Sequence, residues 1–197
     1  AYGGGIVGLN KRTVSACYNT ASLKTILDTV GGIAGWNRND ATVNNCYNTG
    51  SVYAQTSSES ARAGGIVGLN QSIISRCYNV GNVSQDPYTY APHAGGIVGE
   101  SIYGSTNNCY YLDTISTGGV SGSTIVKCTE EQLRQQSTFT GFDFDAIWTW
   151  DEIGAYAYPV LREPPAENTA EFLGGDGTAA NPYLISDLTH LDNIRRY

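Results

Sequence analysis

Apolar and polar positions recur with a long period through the first two thirds of this 197-residue chain. Gly4-Gly5-Ile6-Val7-Gly8-Leu9-Asn10 returns as Gly31-Gly32-Ile33-Ala34-Gly35-Trp36-Asn37 and as Gly64-Gly65-Ile66-Val67-Gly68-Leu69-Asn70. A fourth copy, Gly95-Gly96-Ile97-Val98-Gly99-Glu100, drifts at its end. Each is followed by a second block: Cys17-Tyr18-Asn19, Cys46-Tyr47-Asn48, Cys77-Tyr78-Asn79 and Cys109-Tyr110-Tyr111. From cysteine to cysteine the spacings are 29, 31 and 32 residues. Val14, Val43, Ile74 and Thr106 stand three positions before these cysteines, and Leu23, Val52, Val83 and Ile115 six after. Short β-branched runs separated by Gly, Asn and Ser corners predict strands. No stretch before about residue 129 keeps a helical period.

A repeat of this length cannot bury its own apolar face, so the copies must stack. The expectation is an all-β fold, a parallel β-helix of about four coils over residues 1–128. Equivalent residues then lie about 4.8 Å apart along the stack. Ile6, Ile33, Ile66 and Ile97 form one inward ladder, and Cys17, Cys46, Cys77 and Cys109 another. The paired glycines predict a sharp corner or a positive φ. Asn19, Asn48 and Asn79 either bond one another as an amide ladder or serve as ordinary turn residues. Successive strand residues face opposite sides, so Tyr18, Tyr47, Tyr78 and Tyr110 point outward. They form either an exposed binding face or a row packed beneath long loops.

Beyond the repeats, Thr129-Glu130-Glu131-Gln132 is a capping box that predicts a short helix. Phe142, Phe144, Trp148 and Trp150 make the next segment strongly aromatic. An open β-helix end exposes unpaired backbone and invites aggregation. Residues 129–162 are therefore expected to be a C-terminal cap of short helix and aromatic strands; the alternative is an aromatic sugar-binding surface. Residues 163–173, with Pro164 and Pro165, read as a linker. Residues 174–197 read as an extended tail: a strand at Tyr183-Leu184-Ile185, then a helix capped by Ser186 with Leu188, Leu191 and Ile194 on one face. So short a tail must dock on something.

The glycine block followed by Cys-Tyr-Asn resembles the GLUG repeat of large bacterial surface proteins, adhesin-like proteins and immunoglobulin A-cleaving metallopeptidases. The likeness covers residues 3 to about 116. Phe142-Asp143-Phe144 through Trp148, ending at Tyr158-Pro159-Val160-Leu161, is similar to the segment that closes such arrays. Gly174-Gly175-Asp176-Gly177-Thr178 with Asn181-Pro182-Tyr183-Leu184-Ile185 resembles the start of another β-helical unit. The resemblance implies a surface location and no catalytic residues, because the repeats of the peptidases lie outside their metalloprotease domain. His-Glu-x-x-His is absent here; the two histidines are His93 and His190.

Composition narrows the function. A net charge of −7 argues against nucleic acid as a partner. No apolar run approaches the roughly 20 residues that span a bilayer. Methionine is absent and the sequence opens in mid-pattern, so it reads as a piece of a longer secreted protein whose signal peptide lies outside this segment. Five cysteines is an odd count. Stacked thiols can be inert core, disulfides or a soft-metal site; in-register Cβ atoms stand nearly 5 Å apart, beyond the usual disulfide range. Cys128 falls outside that ladder. No cofactor and no metal are expected. Asp28, Asp40, Glu59, Asp86, Glu100 and Asp113 recur in no common register, while Asp143, Asp145, Asp151 and Glu152 lie in the cap region. The expected function is a non-catalytic structural or adhesive surface module that meets a host or cell-surface protein or glycan. The alternative is a filament or sheath subunit joined to neighbouring copies head to tail through residues 163–197, with a polysaccharide-active β-helix enzyme a distant third.

Overall fold

The computed structural model describes residues 1–26, 28–55, 61–86, 93–113, 124–150, 157–162 and 178–182. The chain divides into two compact units, Ala1–Leu161 and Arg162–Tyr197. Of the second, the described segment is a turn closed by an antiparallel bridge between Thr178 and Asn181. The linker at 163–173, the glycine run at 174–177, the strand at 183–185 and the helix after Ser186 fall outside the described residues.

In the first unit the repeats stack as a parallel β-solenoid. The first sheet is Tyr2–Gly4, Thr29–Gly31, Arg62–Gly64 and His93–Gly95. The second is Val7–Asn10, Ala34–Asn37, Val67–Asn70 and Val98–Ser101. The third is Thr13–Ser15, Thr42–Asn44, Ile73–Ser75 and Ser105–Asn107. The fourth is Tyr18–Asn19, Tyr47–Asn48, Tyr78–Asn79 and Cys109–Leu112, extended by Ile125–Cys128. The fifth is Leu23–Thr25, Val52–Ala54 and Val83–Gln85. Three coils thus carry five described strands and the fourth carries four. The apolar register read from the sequence is the strand register: Val14, Val43, Ile74 and Thr106 align, as do Leu23, Val52 and Val83. Ile115 lies outside the described residues.

Two apolar cores run along the stack. One joins Ile33, Ile66 and Ile97 to Val43, Ile74, Cys46, Cys77 and Cys109. The other joins Val30, Ala63 and Ala94 to Val52 and Val83. Ile6 departs from the expected ladder. Its backbone N–H donates to Ile33 O at 3.1 Å, yet the residue is 46% exposed where Ile33, Ile66 and Ile97 are buried. Ile6 has a coil on one side only.

Of the two alternatives for the paired glycines, the structure makes the corner, with bends at Gly5, Gly32, Gly65 and Gly96, and not the positive φ. The one described glycine with a positive φ is Gly141, at 79°. The left-handed corner is held instead by Ala16, Asn45, Arg76 and Asn108, at φ of 50° to 52°, each directly before a ladder cysteine. Close approach is what demands glycine. A Cβ on Gly32 would lie 2.1 Å from Gly65 O and 2.6 Å from the Asn48 side chain. On Gly65 it would lie 2.1 Å from Gly96 O and 2.2 Å from Asn79 Nδ2. Backbone rests on backbone there, with an asparagine wedged against it.

The segment after the repeats starts with the helix Glu130–Leu133, closed by a reciprocal cap. Thr129 Oγ1 accepts from the Gln132 backbone N–H, and Gln132 Oε1 accepts from that of Thr129. A short 3-10 turn, Gln136–Thr138, follows, then an antiparallel ribbon of Trp148–Trp150 with Pro159–Leu161. The piece that continues the stack past the fourth coil is the strand Ile125–Cys128. The aromatic segment lies against the flank of the stack rather than across its end.

Two substitutions test this backbone account by urea unfolding. Gly65→Ala is expected to lower stability by about 3 kcal/mol, the upper part of the overpacking range. Ala16→Gly, on an exposed left-handed corner, is expected to raise it by roughly 0.5 kcal/mol, relief of left-handed strain less the added chain entropy.

Candidate functional site

The Cys-Tyr-Asn block is where most of the recurring side-chain chemistry meets. The left-handed residue before each cysteine turns the chain into the fourth sheet, and alternation sends Cys inward and Tyr outward. The tyrosines stack. Tyr18 and Tyr47 have ring centroids 5.0 Å apart at an interplanar angle of 6°, and Tyr47 and Tyr78 lie 5.1 Å apart at 3°.

An exposed tyrosine binding face is nevertheless not what the fold makes. Leu133, Phe139, Phe142 and Trp148 roof the row, leaving Tyr47, Tyr78 and Tyr110 buried. Phe139 meets Tyr78 and Tyr110 edge-on at 5.7 and 5.2 Å, and Trp148 reaches back to Tyr47 at 6.1 Å. The phenol groups are engaged as well: Tyr78 donates to Pro159 O at 2.6 Å and Tyr110 to Thr140 O at 3.4 Å. Tyr18, in the first coil, is the one left open, at 54% exposure. Of the four aromatics picked out in this segment, Phe142 and Trp148 are buried in the roof. Phe144 and Trp150 are partly buried against it and stack on each other at 6.1 Å and 11°.

The asparagines form ladders. Asn19 Nδ2 donates to Asn48 Oδ1 at 2.7 Å, and Asn48 Nδ2 to Asn79 Oδ1 at 2.8 Å. The second hydrogen on each Nδ2 goes to a carbonyl two residues on, at Ala21, Gly50 and Gly81. A second ladder was not foreseen: Asn10 Nδ2 donates to Asn37 Oδ1 and Asn37 Nδ2 to Asn70 Oδ1, both at 2.9 Å. Its signal was present, since Asn ends three of the four glycine blocks. In the fourth coil Ser101 and Tyr111 replace the two asparagines in register.

All five cysteines are free thiols. Cys46, Cys77 and Cys109 are buried and Cys17 is half-buried. Each ladder Sγ donates to the carbonyl two residues before it, at 3.2, 3.1, 3.2 and 3.4 Å from Cys17 to Cys109. Cys128 is buried with the aromatic roof, not with the ladder. Burial pushes the Cys77 thiol well above the ordinary thiol range, and burial followed by the neighbouring Cys46 raises Cys17. Among the described residues, no group of three or more His, Cys, Asp or Glu side chains is placed to hold a metal ion. Several carboxylates are held by cations instead: Glu100 by Arg62, Asp113 by Lys127 and Glu130 by Arg134. Glu59, Asp151 and Glu152 lie outside the described residues.

The thiols carry a pH dependence. A folded-state pKa above the unfolded value contributes stability that is present below the unfolded pKa and lost as pH rises through the folded one. Cys17, Cys77, Cys128 and Tyr110 all shift upward, with burial the largest cause in each, while the hydrogen bond with Cys77 draws Cys46 downward and offsets part of the effect. The thermal midpoint is therefore expected to hold between about pH 6 and 8 and to fall above about pH 9, where unfolded thiols ionise. Cys77→Ala should flatten that fall, as read by circular dichroism melts at fixed ionic strength.

Residues 28–53 match the GLUG motif. A 40-residue stretch is 42% identical to a protein of Evansella cellulosilytica provisionally named a Gly-rich membrane protein, covering 20% of this chain and 5% of that one. The fold is similar to the crystal structure of a protein from Bacteroides ovatus provisionally named an immunoglobulin A1 protease. The TM-score is 0.53 at 20% identity, over 76% of this chain and 57% of that one. The chain thus spans a small fraction of its curated relative and just over half of its solved neighbour. Among the described residues no helix is long and apolar enough to cross a membrane. Residues 28–53 thus carry a GLUG motif in the second coil of a parallel β-solenoid whose flanking coils keep the same register.

Proposed function

We propose that this chain is a non-catalytic, extracellular repeat module of a larger bacterial surface protein, stiffening and spacing that protein while its loops meet a host or cell-surface protein or glycan. One observation carries the reading. The residues that recur from coil to coil are spent on the stack itself: Ile and Cys in the core, Asn in two ladders, Tyr beneath a roof. A ligand array built into the repeat itself would need recurring polar groups left free and converging; Glu100, Asp113 and Glu130 sit instead at unmatched positions in separate ion pairs. What varies between coils are the connections from Ala54 to Arg62 and from Gln85 to His93. Variable loops on a rigid scaffold are the usual seat of recognition. A solved neighbour named as a protease fits a module carried beside a catalytic domain. Free thiols suit a secreted module when in-register stacking keeps neighbouring Cβ atoms beyond disulfide range.

Antibodies raised against the folded chain test the location. They are expected to label intact cells of the producing organism as strongly as permeabilised ones. Labelling that appears only after permeabilisation would overturn the surface reading.

A further inference from the structure

The outer face of the third sheet is spent neither on the core nor on the roof. Val14, Val43 and Ile74 point into the core, so alternation turns their neighbours outward. Thr13, Thr42, Ile73 and Ser105 form one outward column, and Ser15, Asn44, Ser75 and Asn107 the other. None is charged, and all but Ile73 carry a hydroxyl or an amide. Thr13, Ser15, Ile73, Ser105 and Asn107 are exposed. Thr42 Oγ1 donates to Thr13 Oγ1 at 3.2 Å across the coils. This face lies along the flank of the stack, not across an end.

The borders of this face are basic, against the sign of the whole chain. Residues 11–16, 38–45, 71–76 and 102–108 hold Lys11, Arg12, Arg38 and Arg76 and a single carboxylate, Asp40, in a chain of 11 basic and 18 acidic residues. Among the described residues none of these four cations stands in an ion pair. Arg38 lies 5.5 Å from the Trp36 ring, and Arg76 Nε donates to Asn45 Oδ1 at 3.1 Å, so both guanidinium groups are positioned without a counter-charge. Lys11 and Arg38 directly follow Asn10 and Asn37, which pair in register. Two like charges therefore leave adjacent coils about 5 Å apart, and an anion set between them turns that repulsion into attraction.

We infer that the outer face of the third sheet binds an acidic polysaccharide laid along the flank, its carboxylates on Lys11, Arg12, Arg38 and Arg76 and its hydroxyls on the two polar columns. Hydroxyl and amide side chains both donate and accept, as sugar hydroxyls do, and guanidinium pairs with carboxylate through two parallel hydrogen bonds. Cations spread over three coils rather than massed fit single carboxylates along a sugar chain better than dense sulfation. A protein partner would need an apolar centre, and Ile73, 45% exposed, is the one large apolar side chain in the two columns. Single-stranded nucleic acid would need a row of stacking rings, and the face borders one exposed ring, Tyr103. The inference rests on the surface-module reading and names the glycan among its partners, but its test concerns binding alone, so failure here leaves the surface location standing.

The experiment titrates the full chain with polygalacturonate oligomers by calorimetry at low salt, with the methyl-esterified oligomer as a neutral control on the same sugar backbone. Saturable binding of the acid form is expected, weakening as salt is raised, with none of the ester. Lys11→Gln combined with Arg38→Gln should weaken binding by about tenfold or more through lost charge-assisted contacts. Thr42→Glu, which sets a negative charge in the middle of the face, should weaken it at least as much. Lys24→Gln removes a cation from the fifth sheet and should leave binding unchanged. Circular dichroism melts that match the parent chain establish that the variants fold. Absence of binding by the acid form, or an equal loss with Lys24→Gln, overturns the assignment of the face. A single-stranded DNA oligomer that binds as tightly, with the same loss in the Lys11 and Arg38 variant, overturns the choice of a glycan.

Discussion

Everything in this fold follows from one constraint: each side chain in a repeat must tolerate its own copy about 5 Å away. Parallel hydrogen bonding from coil to coil sets that spacing, and the tyrosine row reports it directly at 5.0 and 5.1 Å. Residues that attract their own kind are admitted: Ile and Val by dispersion, Tyr by stacking, Asn because it is donor and acceptor at once. Like charges at that distance repel. Arg62 accordingly finds Glu100 in an adjacent coil and a different sheet, rather than a copy of itself.

Glycine and asparagine solve a second problem together. A solenoid corner brings backbone from two coils into contact, and buried backbone must be hydrogen-bonded. The asparagine side chain supplies a carbonyl acceptor and two amide hydrogens at one point, one hydrogen for its own loop and one for the next coil. It fits because the facing residue has no Cβ, as at Gly32 against Asn48 and Gly65 against Asn79. Losing either member leaves a clash or an unsatisfied amide, and a buried unsatisfied group costs about 1–3 kcal/mol.

The outward tyrosines show how a solenoid flank becomes a second core. Alternation forces them out once the cysteines point in, and a stacked aromatic row is too apolar to leave bare. The segment after the repeats folds back over it, so that Trp148 reaches as far as Tyr47 in the second coil. Fold and function are linked through this economy. Since recurring positions are committed to stacking and roofing, the positions free to vary from coil to coil are those in the connections.

The repeat in the sequence determined the fold class, the strand register and the identity of the core ladders, because a period near 30 residues with glycine, cysteine and asparagine in fixed order admits stacking and little else. It also showed that Tyr18, Tyr47, Tyr78 and Tyr110 face outward. What it left open were questions of what lies against what. Whether the asparagines bond one another, that the left-handed residue is the one before cysteine rather than a paired glycine, that Ile6 stays exposed, and that Leu133, Phe139, Phe142 and Trp148 roof a flank were decided by the tertiary structure. The physical reason is that a repeat pattern records the interactions each coil makes with its copies. Contacts between coil and roof involve sequence that does not repeat, and only three-dimensional packing brings those partners together.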